Sequence, residues 1–345
     1  MKTTPCFGVQ ARLQQVRFRS TLSPAAGQAA DDKGKRNRHL LAHGHELENL
    51  FPALRGGPAS ALQFFADRRI QWWTSSRSGD LPRTLTTAGP TRNLASSQVC
   101  CVNFLLPLVA VPDALLALMR AIDPDVEEVV AIVDDGGRSS PVEIEWVGWR
   151  SPLEGGAMTR GANVTSIDAL LVVRARGCMR AYLVEWKYCE EYRDARSGDK
   201  SGGSKGDTRR KRYRALFAST TSSFQETASF EEQLHEPFYQ LMRMHLLADR
   251  ILEEGITRDL RVDEVRVVVV CPRDNNDYRI VPPLGPIGLR SAPGTTVEET
   301  VRARLRRPHA FAVLAQEDLV AALRLSAVAP QLVDWLDYHA RRYDW

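Results

Sequence analysis

Three residues near the middle of the chain, Asp168, Glu185 and Lys187, have side chains that could together bind a divalent cation. They lie in two apolar, β-branched segments on either side of a turn at Gly177, which is the pattern of a β-hairpin. If the turn centres just before Gly177, Asp168 lies opposite Glu185, with Cα atoms about 4.5–5.5 Å apart on one face. Two carboxylates that close repel each other, and a hard cation such as Mg²⁺ removes the repulsion by accepting their oxygens as ligands.

Lys187 follows Glu185 by two residues, so its side chain is expected on the same face of the strand. The chain contains only seven lysines, and Lys187 is the one that falls in a predicted strand. A compact ammonium at this point can approach a water molecule and a phosphate oxygen. The alternative is a surface hairpin in which Asp168, Glu185 and Lys187 form exposed cross-strand pairs. The nearly continuous apolar residues of both strands favour the buried site.

The segment 193–214, which follows these strands, carries a local excess of positive charge. Nine of its residues are Lys or Arg and three are Asp, so it would attract a polyanion such as nucleic acid. Its glycines predict a flexible loop whose cations could close on a phosphate backbone. The residues predicted to contact nucleic acid are Lys205, Arg209, Arg210, Lys211 and Arg212. The alternative is a basic loop that is only solvated.

The rest of the sequence supplies the elements that must position these side chains. Predicted strands cover residues 126–133, 142–147, 164–173, 181–189, 265–271 and 311–314. Predicted helices cover residues 59–73, 112–122, 229–254, 295–306, 316–325 and 330–342, and 96–106 is apolar without a clear type. Hairpins come first, and a long helix then leads into a buried strand. This order predicts an α/β fold with a mixed β-sheet flanked by helices.

The composition is that of a globular protein, with 345 residues, of which 43% are hydrophobic and 26% are charged. The six cysteines show no CxxC spacing, which argues against a disulfide framework or a zinc knuckle and favours a reducing, cytoplasmic setting. The longest apolar stretch, 99–119, is interrupted by Asn103, Pro107, Pro112 and Asp113, so we expect no membrane span. The start of the chain lacks the apolar core of a signal peptide, so secretion is not expected.

Two short segments resemble the motif of a known family. Ser166-Ile167-Asp168 and Glu185-Trp186-Lys187, with sixteen residues between the acids, resemble the motif of the PD-(D/E)XK, or restriction-endonuclease-like, nuclease superfamily. The segment 236–240 is similar to the helix that follows the second motif strand in many members and often bears a Gln. The likeness extends over about residues 140–275, and the chain looks like an uncharacterised bacterial branch. Ser166 stands where the name of the motif has Pro.

This resemblance implies a metal-dependent nuclease that hydrolyses phosphodiester bonds in DNA with a metal-activated water. Asp168, Glu185 and the backbone carbonyl of Trp186 would bind Mg²⁺ or Mn²⁺. Lys187 would orient or deprotonate the water and neutralise developing charge. Gln240 would fix Lys187 or the nucleophile.

Members of the superfamily often add an acid upstream of these strands. Glu145 is the first candidate for this additional ligand and Glu46 the second, although we expect a solvated side chain at either position. Alternative functions remain at this stage. One is a nucleic-acid-binding protein that no longer cleaves, against which the retention of all three motif residues counts. Another is a nuclease acting on RNA, or a hydrolase of another phosphate ester. The oligomeric state is not predicted.

The chain divides into three predicted regions. Residues 1–37 have few hydrophobic residues and an Arg-bearing start without acids, which predicts a disordered or targeting-like tail. Residues 38–135 are predicted to form a mostly helical N-terminal region that packs on the core. Residues 136–345 would form the restriction-endonuclease-like core with its C-terminal helices.

Overall fold

A computed structural model describes residues 6–26, 31–32, 35–36, 39–57, 59–74, 84–134, 136–148, 153–154, 164–192, 198–281 and 295–344. Its helices are α1 (Phe7–Arg19), α2 (Ala61–Asp67), α3 (Ser97–Val109), α4 (Pro112–Ile122), α5 (Gly203–Phe217), α6 (Phe238–Glu254), α7 (Asn276–Arg279), α8 (Val297–Arg302), α9 (Gln316–Leu325) and α10 (Val333–Tyr343). Its strands are β1 (Asp31–Asp32), β2 (Lys35–Arg36), β3 (Trp72–Thr74), β4 (Thr84–Thr86), β5 (Val126–Val130), β6 (Ile132–Val133), β7 (Ser139–Ser140), β8 (Glu143–Trp146), β9 (Ile167–Ala175), β10 (Cys178–Trp186), β11 (Glu264–Cys271) and β12 (Phe311–Ala315).

Six of these strands form one mixed sheet in the order β12-β11-β10-β9-β5, with β8 also paired to β9. Strands β10, β11 and β12 are parallel, whereas β9 is antiparallel to β10, β5 and β8. The predicted mixed sheet flanked by helices is confirmed. The core was predicted to start at residue 136. However, the sheet includes β5, which lies before that residue.

The sheet separates two hydrophobic cores. Leu171 and Val184 belong to the core that contains residues of α3, α4, α9 and α10. Leu170 and Leu183 belong to the core that contains residues of α6. Because side chains alternate along a strand, Asp168 continues the row of Leu170 and faces α6. Glu185 continues the row of Leu183 in the same way, so the predicted site lies between the sheet and α6.

The structure differs from the prediction at the start of the chain. Instead of a disordered tail, residues 7–19 form helix α1, in which Ala11 and Phe18 are buried in the core. Gln15 Nε2 donates hydrogen bonds to the Tyr188 hydroxyl at 2.7 Å and to the Arg342 carbonyl at 2.9 Å. The prediction of a tail is therefore wrong for this helix, which contacts the segment after β10 and helix α10 through residues far away in the sequence.

Two further helices differ from their predicted bounds. The basic segment 193–214 was predicted to be a flexible loop, but helix α5 begins at Gly203, and residues 193–197 lie outside the described residues. The long helix predicted from residue 229 begins only at Phe238, directly after Pro237. Proline disfavours the helical conformation at the residue before it, which explains the later start. In the described part of the chain, none of the helices has both the length and the apolar character needed to cross a membrane.

Candidate active site

Three carboxylates lie side by side across strands β8, β9 and β10. The ladder between β9 and β10 extends to Ala169 and Val184, so Asp168 and Glu185 form the next opposed pair. This is the register predicted from the turn at the hairpin. On the other side of β9, Glu145 lies between two residues of β8 that pair with the two neighbours of Asp168. Asp168 therefore has a carboxylate-bearing residue on each side of it across the sheet.

A cleft of about 730 Å³ lies beside these carboxylates. Asp168, Glu145 and Gln240 line it, together with residues of β3, α5 and α6. Glu185 and Lys187 do not line the cleft, and they are only 2% and 6% exposed. The volume is typical of cavities that hold a ligand of moderate size.

Glu145 has an unusual backbone conformation, with a φ of 52°. The left-handed region costs a residue with a side chain about 1–2 kcal/mol, and such strain occurs often at functional sites. The Ser166 hydroxyl and the Gln98 side-chain amide each donate a hydrogen bond of 2.8 Å to the Glu145 carboxylate. Only 5% of Glu145 is exposed, so the expectation of a solvated side chain is wrong here.

Gln240 connects the buried pair of Lys187 and Glu185 to the cleft. Lys187 Nζ lies 2.5 Å from Glu185 Oε1 and donates a hydrogen bond of 3.0 Å to Gln240 Oε1. Gln240 Nε2 in turn donates to Glu185 Oε1 at 2.7 Å. These three contacts close a ring in which each side chain contacts the other two. The predicted contact between Gln240 and Lys187 is present.

The buried carboxylates carry more negative charge than the single ammonium beside them offsets. Burial raises the pKa of Asp168 well above its usual range, and the carboxylates of Glu185 and Glu145 raise it further. The ammonium of Lys187 and a hydrogen bond of 2.6 Å from the Trp186 backbone N–H oppose this rise without cancelling it. Burial lowers the pKa of Lys187, but Glu185, Tyr192, Glu190 and Tyr278 together outweigh burial and hold that pKa well above its usual value.

The donor set fits a hard divalent cation by its chemistry. The predicted ligands are oxygens, from the carboxylates of Asp168 and Glu185 and the backbone carbonyl of Trp186, and Mg²⁺ and Mn²⁺ prefer oxygen. A cation between the carboxylates would also remove the repulsion that contributes to the raised pKa of Asp168. Since Glu185 is held by Lys187 and Gln240, binding would exchange part of those contacts for the cation.

A different set of side chains in the described residues comes closer together. Cys6 Sγ and carboxylate oxygens of Glu191 and Asp277 lie within 4.8 Å of one another, whereas Glu145, Asp168 and Glu185 form no such set. Asp277 accepts a hydrogen bond of 3.2 Å from the Phe7 backbone N–H at the start of α1. The Asp277 carboxylate thus satisfies one of the backbone N–H groups that have no partner within the first turn of α1. None of the three residues lines the cleft.

Helix α5 presents one cationic face to the cleft. Lys205, Arg209 and Arg212 line the cleft, and their spacing of four and three residues places them on one side of a helix. Arg210 and Lys211 do not line it. Arg210 instead pairs with Glu231 at 3.0 Å. Of the five residues predicted to contact nucleic acid, the structure therefore brings three into the cleft.

Two arginines of the cleft contact the ring of Tyr239. The guanidinium carbons of Arg209 and Arg243 lie 5.3 and 5.0 Å from the ring centroid, and cation–π contacts of this kind contribute about 0.5–1 kcal/mol each at exposed sites. Lys200 also lines the cleft, and its Nζ lies 3.7 Å from Glu236 Oε1. The cations that line the cleft are Lys200, Lys205, Arg209, Arg212 and Arg243.

Sequence reasoning missed several residues of this cleft. Arg243 could have been found, because it follows Gln240 by three residues in a predicted helix and therefore shares its face. Trp73 could not, since two adjacent tryptophans do not reveal which of them faces the core. Glu46, the second candidate for an additional ligand, lies in a short 3-10 helix and does not line the cleft.

Comparison with known proteins agrees with the motif. The family described as "Restriction Endonuclease associating with ARP" matches residues 68–344, which is more than half of the chain and includes the carboxylates, Lys187 and α5. Neither the curated proteins nor the solved structures yielded a match. The family match confirms the resemblance stated from the two motif segments. The chain belongs to the family of restriction endonucleases associating with ARP, a restriction-endonuclease-like family.

Proposed function

We propose that this chain is a metal-dependent nuclease that hydrolyses phosphodiester bonds in DNA. The observation that carries the proposal is one arrangement of side chains. Glu145, Asp168 and Glu185 lie side by side across three strands, with Lys187 and Gln240 attached to Glu185. Five cations line the adjoining cleft, and three of them, Lys205, Arg209 and Arg212, form one face of α5. This face attracts a polyanionic backbone, and the carboxylates attract a hard cation.

The side chains of this site divide the work of the proposed reaction. When bound, Mg²⁺ or Mn²⁺ supplies Lewis-acid polarisation of the phosphate and a water of lowered pKa. Asp168, Glu185 and the carbonyl of Trp186 would hold the cation, with Glu145 as an additional ligand. The ammonium of Lys187, fixed by Glu185 and Gln240, offsets the negative charge that develops on the phosphate oxygens. The hydrogen bond between Lys187 and Gln240 involves none of the proposed ligands, so it can hold the ammonium in place during the reaction.

Purified protein should cleave labelled DNA in the presence of Mg²⁺ or Mn²⁺, and EDTA should stop the cleavage. The physical reason is that a cation is needed to offset the repulsion between the buried carboxylates. Its positive charge also lowers the pKa of a bound water, which the carboxylates alone cannot do. The measurement is gel analysis of a panel of labelled DNA and RNA substrates. Salt-dependent DNA binding without cleavage in Mn²⁺ would instead indicate a non-cleaving binding protein. Cleavage of RNA alone would contradict the choice of DNA.

The cationic face of α5 should position the phosphate backbone. Alanine at Lys205, Arg209 and Arg212 together is expected to weaken DNA binding and to reduce the slope of log affinity against log salt by about 2 to 3. Each lost phosphate contact removes about 0.7 to 0.9 from that slope, because fewer counterions are released. Fluorescence anisotropy at several salt concentrations measures the slope.

The opposite side of the same helix offers a matched control. Alanine at Arg210, Lys211 and Arg214 removes the same charge from residues that do not line the cleft. Arg210 and Arg214 pair with Glu231. The control variant should keep the salt slope of the wild-type protein. Equal changes in both variants would mean that net charge, and not the face of α5 in the cleft, determines binding.

A further inference from the structure

Two adjacent tryptophans of β3 have different surroundings. Trp72 is 1% exposed and stacks on Phe65 with ring centroids 3.7 Å apart and planes inclined by 8°. Trp73 follows it in the strand, so its side chain points to the opposite face, and it lines the cleft. Among the described residues, no other aromatic ring stacks on Trp73. Packing in the core explains the aromatic side chain of Trp72, but it does not explain that of Trp73.

Hydrogen bonds connect the backbone of Trp73 to the carboxylates of the site. The Trp73 backbone N–H donates to Gln98 Oε1 at 2.9 Å. The Gln98 side-chain amide donates to Glu145 Oε1 at 2.8 Å. One glutamine therefore fixes both the strand that carries the indole and the carboxylate next to Asp168. The indole thus has a defined position relative to the site of hydrolysis.

The same cleft contains both an aromatic side chain and a row of cations. Proteins that bind single-stranded nucleic acid combine a positively charged groove with aromatic rings on which unpaired bases stack. Trp73 supplies a ring from β3, and Lys205, Arg209 and Arg212 supply cations from α5. In a duplex the faces of the bases are covered by their neighbours, so an indole can stack only on a base that has left the helix.

We propose that the cleft takes an unpaired segment of DNA, with one base stacked on Trp73 and the backbone along Lys205, Arg209 and Arg212. This inference rests on the proposed function, because it names the form of DNA that reaches Asp168. Removal of a stacking residue weakens binding of a single strand about 5- to 150-fold. Trp73 is thus a residue that selects unpaired over paired DNA.

The test measures binding by the full chain carrying Asp168→Asn, so that DNA is not cleaved. Fluorescence anisotropy compares a labelled single strand with the duplex of the same sequence, in that parent and after adding Trp73→Leu or Trp73→Phe. We expect Trp73→Leu to weaken single-strand binding about 5- to 150-fold and to change duplex binding little. Trp73→Phe keeps an aromatic face and should keep most of the affinity for the single strand.

Intrinsic fluorescence supplies a second measurement. The single strand should quench tryptophan emission in the parent, and Trp73→Phe should lose most of this quenching while still binding. Thermal unfolding of each variant checks that the fold is retained. If Trp73→Leu binds the single strand like the parent, or if both forms of DNA lose affinity equally, the inference is overturned.

Cleavage by the wild-type chain separates this inference from the proposed function. A wild-type protein that cleaves duplex DNA, at a rate that Trp73→Leu does not change, would retain the proposed function and overturn the role of Trp73. If the wild-type protein cleaves no DNA, but Trp73→Leu still weakens its binding of the single strand, the nuclease is overturned and the stacking site is supported.

Discussion

Asp168→Asn is expected to reduce cleavage at least about a hundredfold, which is the loss typical of removing one group that stabilises a transition state. The same substitution is expected to stabilise the fold at neutral pH. The amide cannot supply a negatively charged ligand, so the cation is held less well. It can still accept the hydrogen bond that the Trp186 backbone N–H donates to Asp168. It also places no charge next to Glu185 and Glu145, whose carboxylates raise the pKa of Asp168. Loss of activity should therefore accompany a gain in stability.

The gain in stability should depend on pH in a defined direction. An aspartate in an unfolded chain has a pKa of about 3.9, whereas burial and two neighbouring carboxylates raise that of Asp168 in the folded protein. Below the pKa of the unfolded chain, the folded and the unfolded state both hold the proton, so the stabilities of the wild type and the variant differ little. Between the two values the unfolded chain releases the proton and the folded protein keeps it, so the wild type loses stability as pH rises. The advantage of the asparagine variant should therefore grow from acid to neutral pH.

Thermal unfolding in EDTA over a pH series measures this difference. Asp259→Asn is a matched control, since Asp259 is exposed and lies outside the cleft, and it should leave stability unchanged at every pH. Added Mn²⁺ should stabilise the wild type more than Asp168→Asn, because a ligand that binds the folded state raises its stability. A gain that is constant with pH would contradict the electrostatic explanation. Full cleavage by the variant would contradict the assignment of the site.

The placement of Asp168 opposite Glu185 could be predicted because two local rules fix it. A turn of known position sets the register of a hairpin, and the two-residue period of a strand sets the face of each side chain. These two rules alone place the side chains of Asp168 and Glu185 opposite each other on one face of the sheet. The strain at Glu145 could not be predicted in this way, because its φ of 52° departs from the extended strand geometry that both rules assume.

Helix α5 shows why the basic segment was wrongly predicted to be a loop. Each glycine lowers helix propensity by about 1 kcal/mol relative to alanine, and the segment contains several. Gly206 is required by a close approach, since a Cβ atom there would lie only 1.9 Å from the Ser201 carbonyl oxygen. Tyr213 and Phe217 are buried one turn apart, and Tyr213 packs against Tyr239 of α6. Tertiary packing therefore stabilises a helix that its own sequence does not favour.

Helix α1 escaped prediction for a related reason. Its apolar residues do not follow the spacing of one helical face, and its stabilising contacts come from distant parts of the chain. Gln15 bonds to Tyr188 and Arg342, which lie 173 and 327 residues away. No local pattern reveals such partners, so a polar helix at the start of a chain looks like a tail.

Lys187→Met should remove both activity and stability, through different causes. The loss of the ammonium leaves the charge on the phosphate uncompensated, which is expected to reduce cleavage about 10²- to 10³-fold. It also leaves the Glu185 carboxylate buried without the cation that lies 2.5 Å away. Breaking a buried pair on one side typically costs about 3–5 kcal/mol of folding free energy. Chemical denaturation and single-turnover cleavage measure the two losses separately.

A second substitution distinguishes these two causes. Lys187→Met combined with Glu185→Gln leaves no uncompensated charge, so most of the lost stability should return, because apolar or neutral replacements of a buried pair are often close to neutral. Gln240 can still bond to the new amide at position 185. Cleavage should stay lost, since neither the ammonium nor the carboxylate ligand is present. If the double variant were as unstable as Lys187→Met, packing and not charge would explain the loss. If it regained cleavage with its stability, Lys187 would act only through the fold, and the proposed role of its ammonium at the phosphate would be wrong.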